Sequence, residues 1–172
     1  MDTFQCTMCG AEHRLAEIEP SFDRPDAFFR IPPDKRARRS WNDEHFCVIW
    51  ETDRSARRHF LHVLLPFPLR GEKRDYCWGV WSEAAELAYA HTFDTWTHAR
   101  RGRTPAFPAQ LANALPGAEP TLGLPGLVQL SDRGELPRFT FATDVDHPIA
   151  GLQRKGVFTE QAIEWASRAV HG

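Results

Sequence analysis

The sequence predicts an α+β protein: a mainly antiparallel sheet with packed helices and a small N-terminal Cys-x-x-Cys knuckle. Three observations lead there. Short β-rich apolar runs cluster between positions 46 and 81 and again between 126 and 141. Helix-period patterns fall between and after these groups instead of alternating with every strand, which argues against a parallel sheet. Cys6 and Cys9 stand ahead of the first run, in a polar stretch with little apolar surface of its own.

Residues 1–20 read as a small Cys/His lobe and residues 21–172 as the α+β body. No internal repeat or linker divides the chain, so 1–172 is expected to be one domain. Pro32-Pro33 stops the chain and the charged stretch Asp34 to Ser40 then supports one or two helical turns. Phe46 to Trp50 and Arg58 to Leu65 read as strands. Gly71 to Asp75 reads as the hairpin connection to a third strand, Tyr76 to Trp81. Alternation along it sets Tyr76, Trp78 and Val80 on one face and Cys77, Gly79 and Trp81 on the other. Gly79, between two tryptophans, marks a close backbone approach or a bulge.

From Ser82 to Arg101 the period becomes helical, with Ser82 as N-cap and Ala85, Leu87, Ala88, Ala90, Phe93 and Trp96 on the packed face. Pro105 to Pro125, rich in Pro, Gly and Ala, reads as irregular with a short turn over Ala109 to Ala114. Gly126 to Leu130 and Leu136 to Phe141 read as two strands joined at Asp132 to Glu135. Asp146-His147-Pro148 starts a short helix that Gly156 ends. Thr159 caps a last amphipathic helix with Ala162, Ile163, Ala166, Ala169 and Val170 inward.

Composition narrows the function classes. The chain of 172 residues, 42% hydrophobic and 26% charged, suits one globular domain and excludes wholesale disorder. A net charge of −2 supplies no field for nucleic acid or an anionic membrane, and neither is expected as a partner. The basic runs Lys35 to Arg39 and Arg100 to Arg103 read as a solvated helix face and a solvated loop. The longest apolar run, Phe60 to Leu69, is interrupted by His62, Pro66 and Pro68, far short of the roughly 20 residues that span a bilayer. Met1 to Gly10 has no signal-peptide core. The expected compartment is the cytoplasm, where thiols stay reduced, so Cys6, Cys9, Cys47 and Cys77 read as ligands, catalysts or packing residues rather than disulfides. No dinucleotide fingerprint, phosphate loop, nucleophile elbow or kinase signature is present.

Several blocks stand in a distinctive order: Cys6-x-x-Cys9-Gly10-x-x-His13, Ile31-Pro32, Cys47-Val48-Ile49, Trp78-Gly79-Val80-Trp81 and Asp146-His147-Pro148-Ile149-Ala150-x-x-Gln153-x-x-Gly156. Over nearly the whole chain this order resembles the bacterial family known as domain of unknown function 2199. The resemblance implies a single compact bacterial domain and carries no activity. The chain departs from the family pattern before Cys47, at Asn42 to Phe46, and over Phe107 to Leu124.

Two groups carry chemistry. Cys6 and Cys9, three positions apart, can reach one ion from a tight turn to which Gly10 gives backbone freedom, and His13 offers a third donor. Tetrahedral zinc needs a fourth ligand. Cys47 is the first candidate because the resemblance includes it, with His45 and His147 behind it. A bound zinc here is expected to be structural, stabilising a lobe short of apolar surface. Two ordinary thiols with a solvated His13, or a redox dithiol, are the competing readings. Glu12 beside His13 lacks the helical spacing of a catalytic zinc site. The second group is Asp144, Asp146 and His147, which could serve general acid–base catalysis or could simply cap a helix, with Gln153 facing the same cleft. The expectation is a non-catalytic protein-binding or adaptor domain, its partner another protein. The alternative is a metal-dependent or hydrolase-like enzyme using Asp146 and His147.

Overall fold

The computed structural model describes residues 3–6, 9–14, 19–51, 56–118 and 120–171, with side chains through 168. It is a mixed α+β structure. A two-stranded N-terminal hairpin pairs β1 (Thr3–Gln5) with β2 (Glu12–Arg14). A seven-stranded sheet follows in the order β3 (Ser40–Asn42), β4 (Phe46–Trp50), β5 (Arg57–Pro68), β6 (Asp75–Ala84), β7 (Phe107–Leu111), β8 (Pro125–Gln129) and β9 (Arg138–Phe141). Its sequential neighbours are all antiparallel.

The sheet is not a simple open one. β9 returns to β5 through a parallel contact at Leu64 and Arg138, with the Leu64 N–H on the Pro137 carbonyl at 2.8 Å. Strands β5 to β9 therefore form a five-stranded barrel, with β3 and β4 as a flap beyond β5. Closure gives the β9 edge a partner that it would otherwise lack, while β3 remains the outer strand of the flap.

Alternation fills the barrel. Leu61, Val63, Leu65 and Phe67 of β5 face inward with Tyr76, Trp78 and Val80 of β6, as the two-residue period requires. Val128, Phe139 and Phe141 complete the wall, and helices α4 (Pro148–Lys155) and α5 (Thr159–His171) add Ile149, Ala150, Ala162, Trp165 and Ala166. Ala162, Ile163 and Ala166 thus pack as the pattern predicts, while Ala169 and Val170 lie outside the described side chains. The opposite face of the sheet carries a second, smaller core of Ile31, Cys47, Ile49, Phe60, Trp81 and Ala112. The segment around α1 (Asp26–Phe29) covers it with Ala27 and Phe28. A 3-10 turn over Pro33–Lys35 leads into α2 (Arg36–Arg39), matching the one or two turns predicted there.

Four elements differ from expectation. β5 continues through Pro66 and Pro68, because β4 has ended by Leu61 and the prolines meet a ladder partner only in β6. Ser82 is not an N-cap: it lies buried in β6, which runs to Ala84 because β7 pairs with its last three residues. Helix α3 is shorter, Glu86–Asp94, and buries Tyr89 and Thr92, whereas Leu87 is 85% exposed. Residues 107–111 form a strand rather than irregular chain or a turn, since their pairing with β6 and β8 overrides a weak local preference.

Gly79 is a close approach. Segment 20–22 runs along it as a parallel bridge, with Gly79 N–H on the Pro20 carbonyl at 2.8 Å and Phe22 N–H on the Gly79 carbonyl at 2.9 Å. A Cβ there would stand 2.5 Å from Ser21 Oγ.

Candidate metal centre

The β1–β2 hairpin builds the site from its register. Pairing of Gln5 with Glu12 places Cys6 at the start of the connecting loop, and the Cys6 N–H bonds the Ala11 carbonyl at 2.8 Å. The loop turns back at Gly10, whose N–H reaches the Cys6 carbonyl at 2.9 Å. Its φ of +70° is the left-handed region where a side chain is disfavoured. His13, opposite Phe4 in the hairpin, presents its ring toward the loop. Phe4 and Cys6 are buried and join the main core, so the hairpin is seated on the body.

The donor atoms of Cys6, Cys9 and His13 all lie within 4.8 Å of one another, and Cys9 Sγ is 3.5 Å from His13 Nε2. Around a tetrahedral zinc, with bonds of about 2.3 Å to sulfur and about 2.0 Å to nitrogen, donors sit roughly 3.5–3.8 Å apart. The three side chains fit that geometry with a small contraction. Two soft thiolates and an imidazole are the donor set that zinc prefers. Cys9 is exposed and His13 half-buried, so both donors face an entering ion, and the buried Cys6 anchors the group.

Cys47 is placed elsewhere. It is fully buried in the second core among Ile31, Ile49 and Phe60, and burial pushes its thiol up to about 12. His45 packs its ring on Trp96 at 4.8 Å. His147 is the N-cap of α4, its Nδ1 accepting the Ile149 N–H at 3.2 Å. The group that the described residues bring together therefore consists of Cys6, Cys9 and His13, without a fourth donor. Cys77 is buried as a packing residue, its thiol raised to about 11 by desolvation.

Asp144 and Asp146 are exposed, and among the described residues no hydrogen bond or ion pair joins either to His147. Gln153 does not face a cleft. It is buried and staples α4 to β9, donating to the Phe139 carbonyl at 3.0 Å and accepting the Phe141 N–H at 2.8 Å. His147 does line a hollow of about 570 Å³ between α4 and α5 with Trp165, Glu164 and Arg168, but none of Cys6, Cys9 or His13 reaches it.

Arg101 corrects the reading of Arg100 to Arg103 as a solvated loop. It is only 3% exposed, lies 3.8 Å over the Trp96 ring and donates to the carbonyls of Trp96, Ser131 and Glu135. Burial lowers its pKa, and the three carbonyls together with the ring replace the lost water. Arg39 likewise donates twice to the Trp50 carbonyl, so the Lys35 to Arg39 run is partly a structural tie. A lone arginine in a basic run gives no sequence signal of such burial.

No described helix is long and apolar enough to cross a membrane. No curated protein and no solved structure matches the chain. The family model for uncharacterized proteins conserved in bacteria, domain of unknown function 2199, matches residues 5–157, and the chain belongs to that family.

Proposed function

We propose that this family member is a non-catalytic protein-binding domain whose N-terminal hairpin is held by a structural zinc on Cys6, Cys9 and His13. The observation that carries the metal reading is the convergence of those three donors within 4.8 Å, two from the hairpin's glycine-containing connection and one from β2. A hairpin of three-residue strands is too small to be stable alone, and a metal would supply the free energy it lacks. The fourth position is then filled by a further side chain or by water.

The partner we infer is another protein. Support comes from two places on α3: Leu87 on its outer side is 85% exposed, and at the helix edge Phe93 meets the exposed Trp41 edge-on at 6.0 Å. Exposed apolar groups that lie together mark interaction surfaces more often than single ones do. The competing enzyme reading needs Asp146 and His147 assembled with the Cys/His group in one cleft, and no observation favours it.

Elemental analysis and native mass spectrometry of protein purified without added metal test the metal reading, beside a Cys6→Ser/Cys9→Ser variant. One zinc per chain, lost in the variant together with stability, is the expected result. Well-folded, metal-free wild-type protein that takes up no zinc would overturn it. For the partner, a discrete complex recovered from the host with wild type and lost with Leu87→Asp is expected. An identical complex with Leu87→Asp would remove α3 from the surface.

A further inference from the structure

The register of the flap strands assembles a second candidate site, away from the hairpin. Trp41 of β3 stands opposite Val48 of β4, Val48 opposite His59 of β5, and His59 opposite Ala84 of β6. One row across four strands thus points its side chains to one face, with Trp50 and Arg57 paired in the row beside it. Helix α3 lies over this face. Its Tyr89 ring is 5.0 Å from His59 and 5.5 Å from Phe46, and Phe93 closes toward Trp41.

Two adjoining hollows result, sharing Arg57, His59 and Glu86. One, of about 480 Å³, is walled by Trp41, Val48, Trp50, Tyr89 and Phe93. The other, of about 460 Å³, is polar and runs between Arg57, Arg58, Glu83 and the start of α3. Each is of the size that small-molecule sites occupy. His59 sits at the junction. It is only 7% exposed, and among the described residues its ring makes no hydrogen bond. Its ring nitrogens are not fully enclosed, so they open toward the hollows, where a ligand can bond them.

The charges at the polar end choose the ligand. Arg58 and Glu83 neutralise each other through two hydrogen bonds of 2.8 and 2.6 Å. Arg57 has no ion-pair partner among the described residues. Helix α3 starts at Glu86, and its N-cap, Ala85, gives no side-chain cap, so the N–H groups of the first turn are left for an acceptor. Both residues border this hollow. Against these donors stand Glu86, exposed on the first turn, and Asp94 at the far end of the apolar hollow.

We propose that this cleft binds a small monocarboxylic acid with an apolar chain or ring. The carboxylate would bond Arg57, the His59 ring N–H and the open first turn of α3, and the apolar body would lie against Trp41, Trp50 and Phe93. Glu86 swings out to admit it. Burial lowers the His59 pKa, and the neutral imidazole still offers one N–H. None of Cys6, Cys9 or His13 lines the cleft, so this inference and the metal reading fail separately.

Octanoate, 1-octanol and octylammonium, equal in chain length and different in charge, are the probes. The full chain is labelled with 5-fluorotryptophan, and the Trp41 and Trp50 ¹⁹F resonances are assigned with Trp41→Phe and Trp50→Phe. Octanoate is expected to shift both resonances saturably and to bind roughly tenfold tighter than octanol, the value of a charge-assisted hydrogen bond. Arg57→Gln should weaken octanoate by about the same factor and leave octanol unchanged, whereas Glu86→Gln should tighten octanoate. Both side chains are exposed, so neither variant threatens the fold. Octylammonium binding as well as octanoate, reversed effects of the two variants, or no saturable shift at Trp41 and Trp50 would each overturn the proposal.

Discussion

The side chain of Asn113 accepts the main-chain N–H of Trp81 at 2.7 Å, in the middle of β6 where no neighbouring strand supplies that acceptor. Its amide nitrogen donates to the Arg24 carbonyl at 2.9 Å and to Asp26 Oδ1 at 3.0 Å, while Asp26 Oδ2 takes the Ala114 N–H at 2.9 Å. The Trp81 indole N–H adds a bond to the Phe22 carbonyl at 2.9 Å. One fully buried amide therefore ties the segment covering the second core to the barrel. Asn113→Ala would leave a buried N–H and a carbonyl unpaired, and is expected to cost about 2–4 kcal/mol. Urea unfolding followed by tryptophan fluorescence measures it. A loss under about 0.5 kcal/mol would mean that water replaces the amide freely.

Gly79→Ala tests the close approach of segment 20–22. Its backbone φ is ordinary, so strain would come only from the new methyl, 2.5 Å from Ser21 Oγ and 3.1 Å from both Ser21 Cβ and His62 Nε2. A cost of roughly 1–3 kcal/mol is expected. Most of it should vanish in a Ser21→Gly background, because the two sites share the same space. Equal costs in both backgrounds would place the strain elsewhere.

His62 predicts a pH dependence. Its ring stacks on Trp81 at 5.1 Å, both ring nitrogens are buried without a partner among the described residues, and desolvation holds its pKa down to about 4 against an ordinary 6.5. The folded state therefore resists a proton that the unfolded chain accepts. Stability is unaffected above about pH 6.5 and falls as pH drops from there toward 4, by on the order of 2–3 kcal/mol. His62→Phe keeps the stack and removes the titration, so metal-free variant protein should lose less stability than wild type across that window. His59, lowered in the same direction, leaves a smaller residual slope. Parallel curves for the two proteins would acquit His62.

Much of this architecture was legible in residue patterns. Phe46 to Trp50, Arg58 to Leu65 and Tyr76 to Trp81 read as strands, and alternation along the third separates Tyr76, Trp78 and Val80 from Trp81 as the structure does. Barrel closure, fixed by the single Leu64–Arg138 pairing, was not legible. The strand over residues 107–111 was not legible, since Pro108 and Ala109 carry no strand preference and pairing alone fixes it. The Ser82 boundary failed for the same reason: a helix-like pattern began while β7 still held the chain extended. Of the candidate metal centre, Cys6, Cys9 and His13 were readable because their spacing is local. The row Trp41, Val48, His59 was not, because only strand register joins it.

Leu64 and Arg138 meet from opposite halves of the chain, and that sets an order on folding. The β5–β6 hairpin closes over the short Leu69 to Arg74 connection, at little entropic cost. The β5–β9 contact must wait until β7 and β8 have paired in between. On a ribosome, Leu61 to Phe67 and Tyr76 to Val80 would emerge long before Phe139, Ile149 and Trp165 arrive to cover them. Pulse-labelled hydrogen exchange should find the Val63 amide protected before that of Phe139, and simultaneous protection would contradict the order. The nascent chain thus carries a half-built apolar barrel wall while residues 81–165 are added, and that surface is exposed to aggregation until Trp165 covers it.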